Sequence, residues 1–283
     1  MNWPTWNEAA IAAVLSIVLA QVAKRRSGKV WGAIGPAATE FALISGLYSV
    51  WRVARQLPLA QDEGAIERAH QIVRAERWLH LPTELSMQHF VLRHDVLARW
   101  TNTYYATVHV PALLAFLVWL YVRHRDHFPR WRNGLVILTG FCLVIRFVRV
   151  APPRFLPGYV DLSTRYGMNI YGPVGTGVSD QFAAMPSIHV GWAAVVSFGI
   201  VAASPSRFRW LALFHVVATM FVVMASGNHW WLDGLVAIAL LGVGLLMDTA
   251  GRRLAARWRT TKAEGDDPGP GTTTGADPEL ATA

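Results

Sequence analysis

Three fragments decide how this chain is read: RFVRVAPPRFLPGYVD (146–161), FAAMPSIHVGWA (182–193) and SGNHWWLDGL (226–235). Each joins ionisable residues to a long apolar run. A charged group at the mouth of a membrane segment is costly to keep, and so marks function. Three such fragments between Arg146 and Asp233 point to one site assembled from several helices.

Outward from these fragments, apolar segments of about 15 to 25 residues recur, each long enough to cross a hydrocarbon core of roughly 30 Å. Of the 283 residues 53% are hydrophobic and only 16% charged, whereas soluble domains carry about 25% charged residues. The expected fold is all-α, a polytopic membrane bundle of about seven transmembrane helices with amphipathic helices at the membrane surface. A membrane β-barrel is excluded because the apolar runs are continuous rather than alternating. The net charge of +8 would favour nucleic acid in a soluble chain. Here the basic residues sit in short loops between apolar runs, where orienting the protein explains them better, so no nucleic-acid partner is expected. The single cysteine, Cys142, lies inside an apolar run and has no partner for an intrachain disulfide.

Residues 1–29 form a first unit, a span over 9–23 followed by a basic loop. The cluster Lys24, Arg25, Arg26 comes after the span, the reverse of a signal peptide, so a retained helix is expected. Residues 30–250 form the membrane-embedded domain. Its first span, 30–54, contains Glu40, which must face other helices or a polar cavity, or reach the interface. Between Gln56 and Trp100, Pro58, the acidic pair Asp62–Glu63 and a face of Ile66, Ala69 and Val73 fit two amphipathic helices broken near Leu81–Pro82. Further spans are expected over 101–122 (with His109 and Pro111), over 134–150, from near Pro186, and over 210–225 and 230–248. The long loop before Pro186 is rich in Pro and Gly, including Gly172 and Pro173, and loops of such length are usually functional. Residues 251–283 read as a basic, then disordered, tail.

Loops 24–29, 123–132 and 205–209 and the segment 251–262 hold four, four, two and five of the 26 Lys and Arg residues. With seven spans all four regions fall on one side, which the positive-inside rule makes cytoplasmic. The three fragments then converge on the outer leaflet of the plasma membrane, with the tail in the cytoplasm.

His229 and Asp233 are four apart at the start of a helix, so they share a face. The carboxylate can hold one ring nitrogen protonated and leave the other free to attack, with histidine as the nucleophile. The same spacing suits a polar pair capping a helix. His189, on the first turn after Pro186, is placed to protonate a leaving group. Ser187 and the free N–H groups of that turn suit an oxyanion or a phosphate. Arg154 offers a planar donor fork for phosphate oxygens. Arg146 and Arg149, one turn apart, add charge or snorkel to headgroups.

AAMPSIH (183–189), GNHWWLD (227–233) and APPR (151–154) together resemble the type 2 phosphatidic acid phosphatase superfamily. They are most similar to its inositol phosphorylceramide synthase-like branch, as are RAERWLHLPTELSMQ (74–88) and NTYYATVHVP (102–111). The resemblance covers roughly residues 66–245, leaving the first span and the tail outside. It implies a six-helix core and a two-step reaction through a phosphohistidine, with no metal and no cofactor. His229 matches the nucleophile, Asp233 the residue that orients it, and His189 the acid. Ser187 and Arg154 match phosphate-binding positions, and His109 and Asp161 sit where that branch has similar residues. His109 equally suits a core histidine, and Asp161 a turn residue after Gly158.

In the phosphatase branch an Arg precedes the nucleophile by six residues, where this chain has Val223. That branch also has Lys-x6-Arg-Pro in its first motif, where this chain has Pro153 before Arg154. The synthase-like branch shares both departures, which weigh against simple phosphatase activity more than against phosphotransfer. The implied substrate is a phospholipid or isoprenoid phosphate, the acceptor water or an alcohol. Two other classes fit the same residues. One is a metal-dependent membrane enzyme using His189, His229 and Asp233; the other is a non-catalytic transporter or scaffold.

The topology is testable by labelling single cysteines in a Cys142→Ala background. A cysteine in loop 123–132 is expected to react only from the cytoplasmic side, and one near Gly172 only from outside. The reverse pattern overturns the outward-facing site.

Overall fold

The computed structural model describes residues 4–56, 64–167 and 181–265, with side chains omitted at 55–56 and 260–265. The Asp62–Glu63 pair, Gly172, Pro173 and the tail beyond 265 lie outside the described residues. Among these residues the fold is all-helical, with one isolated parallel bridge, between Val150 and Ala183.

The helices are α1 (Trp6–Lys24), α2 (Lys29–Gln56), α3 (Ala65–Trp78), α4 (Glu84–Leu92), α5 (Asp95–Thr107) and α6 (His109–Arg123). Then follow α7 (Phe128–Ile145), the short α8 (Leu162–Arg165), α9 (Ile188–Ala203), α10 (Leu213–Ala225) and α11 (Trp231–Gly265). Four helical segments are long and apolar enough to cross a membrane: Trp6–Lys24, Lys29–Ala54, Arg207–Ala225 and Trp231–Arg259. Counting α5 and α6 as one bent span makes five. The other two of the seven spans expected from sequence correspond to α7 and α9, which miss this measure for identifiable reasons. In α7, Arg130, Arg132 and Asn133 dilute the apolar run. The 16 residues of α9 rise only ~24 Å, less than a bilayer core.

Small residues face inward and large ones outward in the first two helices, as lipid-facing packing requires. Ala9, Ala13, Ala20 and Ala23 of α1 are buried with Ala38, Ala42, Ser45 and Ser49 of α2, while Ile11, Val14, Leu15, Ile17 and Val18 are exposed. Glu40 is paired: it bonds Arg132 of α7. Beside Arg132, Asn133 donates to Asp248 at 2.6 Å, and Arg252 donates to Asp248 at 2.8 Å. A polar seam thus links α2, α7 and α11 where isolated charges would be costly.

The helix at the centre is α9, packed against α6, α7, α10 and α11. Val190, Ala193, Ala194 and Val195 are buried against Leu138, Phe116, Leu120, Val222 and Met224. The C-terminus of α10 and the N-termini of α6, α9 and α11 meet at one end of this bundle, as ring and backbone contacts among His109, His189, Val223 and His229 show. A second cluster covers that end: Ala65, Ala69 and Ile72 of α3 with Val150, Ala151, Ala184 and Trp230.

Several boundaries differ from the sequence reading. Residues 56–100 hold three helix starts rather than two, because α5 begins at Asp95 and bends by 50° into α6. Pro111 has no N–H to give the carbonyl of Thr107, which releases the helix there. The span expected over 134–150 is α7, which runs Phe128–Ile145 with Pro129 in its first turn. Arg146 is therefore its cap and Arg149 lies past its end, so the two do not share a helix face. The last helix continues past 250 to Gly265.

Candidate active site

The sequence GNHWWLD makes contact at nearly every position. Gly227 turns the chain with φ +76°, a left-handed conformation that costs any other residue roughly 1–2 kcal/mol. The carbonyl of Val223 accepts from the N–H groups of Asn228 and His229, both at 3.1 Å. Val223 itself is fully buried. Asn228 accepts a hydrogen bond from Nη1 of Arg154 and donates to Ser226 Oγ at 2.8 Å. Trp230 is fully buried and donates its indole N–H to the Ala151 carbonyl at 2.9 Å.

His229 Nδ1 lies 2.7 Å from the carbonyl of Ala184 and 3.2 Å from Asp233 Oδ2. A carbonyl only accepts, so Nδ1 carries the proton and Nε2 of the neutral ring keeps its lone pair. Asp233, fully buried, also accepts from the Trp230 N–H at 2.8 Å. The Ala184 carbonyl is set by the isolated bridge: Val150 donates to Phe182 at 2.7 Å and Ala184 donates to Val150 at 3.2 Å. All three sequence fragments are therefore joined around one imidazole, the first of them through Val150.

Ser187 is the N-cap of α9, its Oγ accepting from Val190 N at 3.4 Å and its own N–H donating to the Asp233 carbonyl at 3.0 Å. A seryl hydroxyl that accepts in this way still has its own proton to donate. His189, on the first turn, lies 5.6 Å from His229 between ring centroids. His109 packs edge-on to His189 at 4.9 Å and to Tyr104 at 5.6 Å. The phenol of Tyr104 bonds His215 Nδ1 at 2.8 Å, giving that histidine a structural contact.

The side chain of Arg154 is 4% exposed. Its backbone N–H donates to Gly227 at 2.9 Å, and its Nε lies 3.9 Å from Asp161 Oδ2. Asp161 also caps α8, accepting from Ser163 N at 2.9 Å and from Thr164 Oγ1 at 3.0 Å. Arg146 and Arg149 are buried, and Arg149 directly precedes the bridge residue Val150. Among the described residues no three His, Cys, Asp or Glu side chains converge as a metal site would require.

Four contributors were not singled out from sequence. Asn228 joins Arg154 to the turn before His229. Gln88, fully buried, bonds Val160 through both its amide atoms, donating at 2.8 Å and accepting at 2.7 Å, and also donates to Ala225 at 3.2 Å. Glu84 accepts from Trp231 N at 3.2 Å and Glu76 from Leu232 N at 2.9 Å. Burial first, and then the charge of Glu84, pushes the Glu76 carboxyl up to about 9. Burial also raises Glu84. Tyr159 is pushed up by burial and by both glutamates. The signal for Glu76, Glu84 and Gln88 is RAERWLHLPTELSMQ, whose acids look like the solvated faces of amphipathic helices.

A family model described as the PAP2 superfamily matches residues 70–247. No curated protein and no solved structure matches the chain.

Gly227 is open to a direct test. A Cβ there would meet Gln88 Nε2 at 3.0 Å and the Val160 carbonyl at 3.1 Å, besides the cost of its positive φ. Gly227→Ala should displace Asn228 and His229 and lower activity about 10²-fold, the scale of a ~1 Å misplacement. Wild-type turnover in this variant, measured on purified protein in detergent, contradicts the assigned geometry.

Proposed function

The chain belongs to the PAP2 superfamily, and on that footing we propose an integral membrane enzyme that moves the phosphoryl group of a lipid phosphate through His229. The observation that carries this reading is the Nδ1 proton held between Ala184 and Asp233. It fixes the tautomer and leaves Nε2 as a nucleophile.

In the first step Nε2 attacks phosphorus, the N–P bond forms and the bond to the leaving oxygen breaks. His189 gives that oxygen its proton. The equatorial oxygens are held by the guanidinium of Arg154, the hydroxyl of Ser187 and the N–H groups of the first turn of α9, with Arg146 and Arg149 adding positive charge. Asp161 steadies Arg154, and His109 packs behind His189. In the second step His189 takes a proton from the acceptor, whose oxygen displaces His229 and restores the enzyme.

The substrate in this proposal is a phospholipid or isoprenoid phosphate, reached from the outer leaflet of the plasma membrane by a bundle that spans seven times. The exposed Trp78, Phe90, Val96 and Trp100 suit helices α3–α5 lying at the interface. Val223 in place of a second site arginine, and the segment 102–111 that carries His109, support the synthase-like branch. There the acceptor is an alcohol, such as an inositol-type headgroup, and simple hydrolysis is the competing outcome.

His189→Ala should slow a lipid phosphate by roughly 10²-fold or more, the usual scale of general acid catalysis. A nitrophenyl phosphate, whose leaving group needs no proton, should slow far less. Equal losses on both substrates remove His189 from this role.

A further inference from the structure

The N–H groups at the start of a helix have no intrahelical acceptor, and where the chain enters α11 three consecutive ones find carboxyl groups. Trp230 N donates to Asp233, Trp231 N to Glu84 and Leu232 N to Glu76. The three acids come from three different helices, α11, α4 and α3. Glu76 and Glu84 are 5% and 3% exposed, and the adjacent N–H groups of Leu232 and Trp231 bring their carboxyls side by side. Two buried carboxyls side by side repel each other when both are ionised, and a proton on one of them turns that repulsion into a hydrogen bond. A helix N-terminus carries only about half a positive charge, which is too little to hold three ionised carboxylates in a buried site.

We propose that Glu76 and Glu84 share one proton and together act as positioning residues for His229 and Asp233, clamping the first turn of α11 onto α3 and α4. This rests on the reading of His229 as the nucleophile. In this arrangement Glu76 carries the proton, one of its oxygens accepting from Leu232 N and the other donating to Glu84, which also accepts from Trp231 N. Asp233 can then stay ionised beneath the imidazole, because the negative charge beside it is one rather than two. Loss of the shared proton puts two carboxylates in contact and drives α3, α4 and α11 apart at the nucleophile.

The ionisable groups facing the pair are Asp233 with its partner His229 on α11, and Tyr159 from the segment after α7. Tyr159 packs edge-on to Trp230 at 6.0 Å between ring centroids, and Arg77 of α3 is exposed. Among the described residues none of these supplies a buried cation in contact with both glutamates, which is why the proton has to.

The sign of the pH dependence follows. The folded state retains a proton that an unfolded glutamate releases above roughly pH 4.3. Stability therefore falls as pH rises from there and is lost through about 9, the value at which Glu76 gives up its proton. Glu76→Gln mimics the protonated acid, since its amide donates to Glu84 and its carbonyl accepts from Leu232 N. Wild-type kcat should fall by tenfold or more between about pH 8 and 10 on a nitrophenyl phosphate. E76Q should keep neutral-pH activity within a few-fold and lose that alkaline limb. Glu76→Ala, which leaves Leu232 N without its acceptor, should lose activity at every pH.

Infrared spectroscopy of full-length protein in detergent supplies a readout that needs no turnover. Wild type should show a protonated carboxylic acid band at neutral pH that disappears on alkaline titration, and E76Q should lack it. An alkaline limb unchanged in E76Q, or a wild-type protein with no titrating acid band, overturns the shared proton. If His229→Ala retains activity, the nucleophile reading fails while the infrared result still decides the pair. Should E76Q fail to fold, the wild-type titration alone decides it.

Discussion

One proton on one imidazole organises this protein. The Nδ1–H of His229 is held by a backbone carbonyl and a buried carboxylate, and the elements around it serve to keep those acceptors in place. The carbonyl belongs to Ala184, whose position depends on pairing with Val150 from the far end of a long connection. The carboxylate belongs to Asp233, whose own carbonyl in turn receives the N–H of Ser187. The proposed nucleophile, its orienting acid and the helix cap are thus tied together through the main chain. Each of these polar groups is buried, and removing one partner would leave another unsatisfied at a cost of about 1–3 kcal/mol. The site is consequently part of the packing of its end of the bundle rather than an attachment to it.

What the sequence showed of this arrangement follows from which signals side chains carry. His229 and Asp233 could be placed on one face because helical periodicity is local. His189 and Ser187 could be placed at a helix start because Pro186 marks one, although the cap proves to be Ser187 itself. The role of Ala184 was illegible, because a backbone carbonyl has no letter in the sequence. Gln88, Glu76 and Glu84 were hidden for the opposite reason. Their types are those of a wet helix face, and only the approach of α3 and α4 to α11 makes them buried partners. The bend between α5 and α6 and the early end of α7 moved boundaries by several residues, which is why Arg146 and Arg149 do not stack on a common helix.

The membrane character was legible in composition, and the structure adds how it is achieved. In α1 and α2 alanine and serine face inward and valine, leucine and isoleucine face outward, the reverse of a soluble hairpin. The polar seam from Glu40 through Arg132 and Asn133 to Asp248 and Arg252 runs from α2 to the later part of α11, whereas the histidines gather at the start of α9 and α11. The bundle separates these two polar clusters, so that a rigid apolar middle, centred on α9, fixes the end where the chemistry is proposed.

The central claim, that Nε2 of His229 takes the phosphoryl group, is tested most directly by quenching the enzyme during turnover of a phosphorus-labelled lipid phosphate and mapping the label. A phosphoramidate on the distal nitrogen of His229, labile in acid and stable in base, is the predicted result, and it should be absent from His229→Ala. Label on a serine, or full turnover with no adduct on His229 together with loss of activity on chelation, would contradict the account.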